Sequence, residues 1–200
     1  AAVKFAPMMA GLAVVGIIYG AIVSYYQRDI KKLVAYSSIS HLGFVMLGLF
    51  ALNSQGIQGG ILQMINHGLS TGALFLLVGM IYEQTHTRDF DVYGGLWKIM
   101  PVYGTVMLVV TLSSMGLPGL NGFVGEFTIL LGAFGSEAIG SAWYAGISAI
   151  GVILAAIYML YMFQGAMQEK NDKIPEGLTD INSREFGLLL PACILVVFIG

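Results

Sequence analysis

Charge is scarce in this sequence: Asp, Glu, Lys and Arg make up 10% of its 200 residues, with a net charge of −2. The basic residues form no long run, so neither the balance nor its distribution suits a nucleic-acid partner. There is a single cysteine, Cys193. It can form no internal disulfide and, in an apolar segment, reads as a small buried hydrophobe. The sequence has no Gly-rich phosphate loop, no CxxC or HExxH metal spacing and no serine nucleophile elbow. It therefore offers no nucleotide, flavin or iron–sulfur site of its own. An initiator methionine and a signal peptide are also missing, and residue 200 falls inside an apolar run, as expected of a piece of a longer protein.

What the sequence does have is apolar length. Hydrophobic residues account for 57% of the chain and mean hydropathy is +0.82, values of an integral membrane protein. The fold class predicted is all-α, a polytopic transmembrane helix bundle with one discontinuous helix. Within one transmembrane domain, spans are expected at about 7–26, 33–52, 57–82, 101–134, 143–164 and 185–200, the last truncated. If they alternate, Arg28, Lys31, Lys32, Arg88, Lys98, Lys170, Lys173 and Arg184 share one side and only Lys4 lies on the other. Basic loops favour the cytoplasm. The amino end of the chain is then outside, the charged loops are cytoplasmic, and residues 101–134 cross once instead of turning back as a hairpin.

At about 1.5 Å per residue, 101–134 is too long for one straight span. A break is expected near 116–122, at Gly116, Pro118, Gly119 and Gly122 in GLPGLNGFVGEF. Proline removes a helical hydrogen bond and glycine tolerates the freed backbone. At membrane depth such a break must be buried in protein or line a wet cavity. Glu126 follows it, the one charged residue between Lys98 and Glu137. A broken helix beside an isolated acid is the mark of an ion or proton site; the alternative is a hinge residue that only hydrogen-bonds the helix end.

Other polar groups lie inside the apolar runs. His41 accompanies Ser37, Ser38 and Ser40 in the second span, open between a packing role and a proton-carrying one. Gln63, Asn66, His67, Ser70 and Thr71 stand at offsets of 0, 3, 4, 7 and 8, one face of a helix. That stripe is either an interhelical hydrogen-bonding seam or the wall of a hydrated path. The imidazole, which exchanges protons near neutrality, favours the path. Gly16 and Gly20 could admit a close neighbouring helix or be ordinary filler. Trp143, Tyr144, Tyr158 and Tyr161 read as interfacial aromatics near the ends of the fifth span. His86, in the charged connection from Glu83 to Met100 that includes Asp91, reads as solvated.

Three stretches carry a family resemblance: RDIKKLVAYSSISHLGFV (Arg28 to Val45), QMINHGLSTGALFLLVGMIYEQTHTRD (Gln63 to Asp89) and SSMGLPGLNGFVGEF (Ser113 to Phe127). In order and over nearly the whole chain, they resemble the antiporter-like subunits of respiratory complex I. Glu126 resembles the M type of that family, whose L- and N-type sisters and the Mrp Na⁺/H⁺ antiporters typically carry lysine there; His86 in THTRD also looks like the M type. The resemblance implies a fourteen-helix subunit with two inverted five-helix repeats, of which this chain is the second plus the start of the last helix. Glu126 would be the exit-side proton site on the broken helix, with His41 and His67 on a central hydrophilic axis. The family's acid and lysines on earlier helices would precede Ala1.

The function implied is a proton-translocating subunit of an NADH:quinone oxidoreductase in a bacterial inner membrane. Its partners would be the lipid bilayer and other membrane subunits, among them sister antiporter-like ones. NADH, FMN, iron–sulfur clusters and quinone would be held by other subunits, and no cofactor by this chain. A Mrp-type cation/proton antiporter and a membrane-bound hydrogenase subunit share the motifs, and a non-conducting membrane scaffold is the reading of a different class.

Overall fold

Long apolar runs become helices because an apolar medium leaves backbone N–H and C=O groups no partners but one another. The structure, a computed structural model, describes residues 2–89, 92–168 and 177–200. Asp91 of the charged connection, and Lys170 and Lys173 of the basic-residue count, lie outside the described residues. In chain order the helices are α1 (Ala2–Tyr25), α2 (Ile30–Phe50), α3 (Ser54–Thr85), α4 (Leu96–Ile99), α5 (Pro101–Ser114), α6 (Asn121–Phe134), α7 (Trp143–Met167) and α8 (Ser183–Ile199). By length and composition, α1, α2, α3 and α7 can each cross a membrane, and α5 and α6 are shorter apolar helices. The chain is an integral membrane protein.

Side-chain caps start several helices. Asp29 Oδ1 accepts from Lys32 N at 3.1 Å at α2, Asn53 Oδ1 from Gly56 N at 2.8 Å at α3, and Asn182 with Glu185 forms a capping box at α8. Helix α5 has no cap of its own. Asp180, 77 residues past Tyr103, supplies one: its carboxylate accepts from Val102 N at 2.8 Å and Tyr103 N at 2.9 Å.

The connections gather at two ends of the bundle. At one, Arg88 O accepts from Ile30 N at 3.0 Å, Gln84 exchanges hydrogen bonds with Thr179 at 3.1 and 2.9 Å, and Asp180 caps α5. At the other, Asn53 Nδ2 donates to Gly132 O at 2.7 Å and Ser136 Oγ to Ala51 O at 2.6 Å. The α1–α2, α3–α5 and α7–α8 connections thus share one end, the α2–α3 and α6–α7 connections the other.

Small residues set the closest packing. A Cβ on Gly20 would come 2.6 Å from Ser40 N on α2, whereas one on Gly16 would meet nothing within 4 Å. Of those two glycines, only Gly20 serves a helix crossing. Helices α3 and α6 approach until backbones touch: Gly132 backs onto Gly56, and a Cβ on Gly59 would lie 2.8 Å from Ile129 N. One apolar core joins Leu33, Leu77, Tyr103 and Met107; a second joins Ala10, Ile17, Phe44 and Ile129. Cys193 is only half-buried, at the edge of the first core, because α8 buries little beyond Leu189 and Val196.

Candidate functional site

Between α5 and α6, residues 115–120 leave the helical conformation. Gly116 and Gly119 take φ of +76° and +92°, a region open to glycine and strained for other residues. Pro118 between them has no N–H to leave unpaired. Side chains at the break bond to α3. Asn66 Nδ2 donates to Asn121 O at 2.7 Å, Asn121 Nδ2 donates back to Asn66 O at 3.4 Å, and Ser70 Oγ and Ser113 Oγ share a bond of 2.7 Å. Ser113 Oγ also donates to Asn121 Oδ1. A Cβ on Gly122 would strike Ser113 O, so the first turn of α6 rests directly on the end of α5.

Glu126 lies in the second turn of α6 and is 2% exposed. Its Oε1 is 2.7 Å from His41 Nδ1 and accepts from Gln63 Nε2 at 3.1 Å. The other imidazole nitrogen, His41 Nε2, lies 3.2 Å from the Tyr158 hydroxyl. Side chains from α2, α3, α6 and α7 therefore meet at one buried carboxyl. The His67 ring centroid is 5.2 Å from that of His41, and His67 Nδ1 bonds Thr71 Oγ1 at 3.1 Å. The polar stripe of α3 thus divides. Gln63, Asn66 and Ser70 are buried against Glu126 and the break, while His67 and Thr71 are partly exposed and pair with each other.

Tyr158, Asn121 and Ser113 belong to this network although the sequence reading gives none of them a place in it. Tyr158 corrects the interfacial reading: it is fully buried, whereas Trp143 on the same helix is 78% exposed. The signal was on α7 itself, where Ser148, Gly151 and Ala155 share the Tyr158 face and are all buried; small residues at that spacing mark a face pressed against other helices. Asn121 was visible as an amide inside a glycine-rich break.

The heavy atoms allow two proton placements, differing by one proton, without rearrangement. With Glu126 ionised, His41 Nδ1–H donates to it and Nε2 accepts the Tyr158 O–H. With Glu126 protonated, its O–H donates to Nδ1 and Nε2–H donates to the Tyr158 oxygen. The partner on one ring nitrogen selects the role of the other, so Tyr158 holds the imidazole in register for either state.

Two cavities adjoin the network, one at the partners of Glu126 and one at Glu126 itself. A space of about 10 Å³, roughly one water, is lined by His41, Gln63, Asn66, His67, Ser113 and Ser114 among others. Gln63 Oε1, Asn66 Oδ1 and Ser114 Oγ are buried with no protein partner among the described residues. Glu126, whose Oε2 likewise has no partner among the described residues, lines an apolar cavity of about 260 Å³ between α6 and α7, walled by Phe123, Phe127, Val152 and Ile153. Among the described residues no three His, Cys, Asp or Glu side chains gather as metal ligands would.

The fold and site are those of an all-helical membrane bundle with an acid–imidazole pair buried beside a helix break. Residues 1–157 match the family described as NADH:quinone oxidoreductase/Mrp antiporter, TM, and the chain belongs to that family. It is 42% identical over 200 residues to NADH-quinone oxidoreductase subunit M of Pseudomonas aeruginosa, covering 100% of this chain and 38% of the relative. It is 41% identical over 202 residues to NADH-ubiquinone oxidoreductase chain 4 of Marchantia polymorpha, covering 100% of this chain and 40% of that protein. The chain thus spans about two fifths of the length of the curated relatives it matches.

Among solved structures, respiratory complex I from Thermus thermophilus with bound NADH contains a chain similar at a TM-score of 0.91 and 35% identity, over 98% of this chain and 41% of that one. The Mrp complex from Dietzia shares the fold at a TM-score of 0.78 and 21% identity, over 88% of this chain and 34% of its own.

Proposed function

We propose that this chain is part of a proton-translocating membrane subunit of an NADH:quinone oxidoreductase, and that Glu126 and His41 exchange the proton. The observation that carries this reading is the 2.7 Å contact between Glu126 Oε1 and His41 Nδ1, buried beside a helix break. Burial of an acid is costly in a membrane helix and finds its use in proton or ion transfer. The names of the relatives, subunit M and chain 4 of quinone oxidoreductases, support the same reading. Their lengths leave room for the upstream half of such a subunit.

In this mechanism protons reach the pair through the water-sized space walled by Gln63, Asn66, His67, Ser70 and Ser113. His41 passes its Nδ1 proton to Glu126 along the shared bond as a second proton is taken up at Nε2, so that the ring stays neutral, with Tyr158 and Gln63 holding both partners in place. Glu126 releases it from the side of Oε2. A charge shift in a neighbouring subunit, set off by quinone reduction elsewhere, changes which of the two placements is favoured. NADH, FMN, iron–sulfur clusters and quinone act in other subunits, and sister antiporter-like subunits flank this one.

Helices α5 and α6 with their break make a single crossing, a reading supported by the α3–α5 and α6–α7 connections lying at opposite ends of the bundle. The end bearing Arg28, Lys31, Lys32, Arg88 and Arg184 faces the cytoplasm of a bacterial inner membrane.

The test is Glu126→Gln in the intact complex in sealed vesicles, with NADH-driven quinone reduction and proton uptake recorded together. The amide keeps volume and hydrogen bonding and removes the titratable proton. Both rates are expected to fall at least about tenfold with assembly unchanged. Parent rates in both would make Glu126 a hinge residue and this part of the chain a scaffold.

A further inference from the structure

We propose that the bundle end where the α1–α2 turn meets the exit of α3 binds an anionic phospholipid, phosphate in a basic cavity and one acyl chain in an adjoining groove on α3. A cavity of about 530 Å³ lies there, lined by Arg28, Lys32, His86 and Arg88 together with Asp29 and Asp89. Its wall is built. Asp29, fixed by its capping bond to α2, stands 3.6 Å from Arg88 Nε. The Arg88 guanidinium lies 5.0 Å from the Tyr82 ring centroid, and the Arg88 carbonyl is held by Ile30 N. Arg88 is thus oriented from three sides before any ligand arrives.

Next to it is an apolar space of about 440 Å³ lined by Phe75, Val78, Gly79 and Tyr82, with Lys31 and Arg88 at its mouth. Tyr82 and Arg88 line both spaces, so the polar and apolar parts are continuous. Gly79 is the floor of the groove: a Cβ there would meet nothing within 4 Å.

Charge identifies the occupant. Arg28, Lys32 and Arg88 outnumber Asp29 and Asp89 in the cavity lining, Lys31 adds a further cation at the mouth of the groove, and among the described residues no carboxylate pairs with the Lys31 or Lys32 ammonium. The cavity therefore has positive charge to spare, and the groove beside it calls for hydrocarbon. A soluble phosphate meets only the first demand, and a zwitterionic lipid brings a cation of its own. An anionic phospholipid meets both, and basic pockets at the ends of membrane helices bind such headgroups. Tyr25, Tyr26 and Tyr82, all exposed at this end, sit at the depth where aromatic rings meet lipid headgroups.

The experiment counts tightly held phospholipids by mass spectrometry in the intact purified complex, for the parent, for Lys31→Gln with Lys32→Gln, and for Gly79→Leu. Gly79→Leu fills the groove without a clash at Cβ. Each variant is expected to lose a single anionic phospholipid per complex and to keep its zwitterionic lipid. An unchanged anionic count in both overturns the proposal, and so does a neighbouring subunit shed from Gly79→Leu at an unchanged lipid count. A second arm adds phosphatidylglycerol vesicles or inorganic phosphate to delipidated complex. Thermal stabilisation by the lipid alone, lost in Gly79→Leu, is expected; stabilisation by phosphate alone, kept in that variant, makes this a soluble-anion site and refutes the lipid.

Discussion

His41 and Glu126 stand 85 residues apart in the chain and 2.7 Å apart in the fold, Nδ1 facing Oε1. Two groups that share one proton act as a unit, and residues acting as a unit give strongly non-additive losses. His41→Gln is expected to slow coupled quinone reduction and proton uptake about as much as Glu126→Gln. The double variant should be little worse than either alone. Fully additive losses in vesicle assays would mean that the two side chains serve separate steps.

Tyr158→Phe keeps the buried ring and removes the hydroxyl that faces His41 Nε2. The loss of one hydrogen bond of about 1–1.5 kcal/mol predicts roughly a five- to tenfold slowing. The pH profile of proton uptake should shift too, because His41 Nε2 loses the hydroxyl that satisfies it in both states. Trp143→Phe, at an exposed position on the same helix, is the control expected to leave both readouts unchanged.

Gly132→Ala forces a methyl into the backbone of α3 at Gly56. Overpacking of that kind costs about 1–3 kcal/mol, read as a lower melting temperature of the purified complex. Gly16→Ala points into open space and should stay within about 0.5 kcal/mol of the parent.

Tyr93, on the connection before α4, predicts an alkaline effect. Burial pushes its phenol above the ordinary value, opposed in part by a hydrogen bond with Thr85. With the folded pKa above the unfolded one, stability is intact below about pH 10 and is lost as pH rises through the folded value. Hydrogen exchange at the Thr85 and Thr87 amides, near the Tyr93 hydroxyl, should quicken in strong alkali. Tyr93→Phe should abolish that quickening.

An all-helical membrane architecture is legible in composition, because an apolar run has only one common way to satisfy its backbone. Glu126 stands out for a similar reason: a lone carboxylate in such a run has no water to face. Its partners are not legible. His41 reaches it from α2, with three helices between them in chain order, and nothing local to either residue records the meeting. The α3 stripe shows which positions share a face, yet His67 and Thr71 turn toward each other while Gln63 and Asn66 turn toward α6, a division set by how the helices cross. Tyr158 misleads because proximity to a helix end and burial are independent; Gly151 and Ala155 on its face are the better guide.

The crossing of Gly56 and Gly132 has a mechanical meaning. Backbone laid on backbone has no side chain that must change rotamer before the helices can turn on each other. Glu126 lies six residues along α6 from Gly132, a lever arm of about 9 Å. A tilt of roughly 10° about that pivot would carry the carboxyl about 1.5 Å, by the same helix geometry. That travel suffices to part it from His41, while Asn53 keeps its grip on Gly132 at the fulcrum.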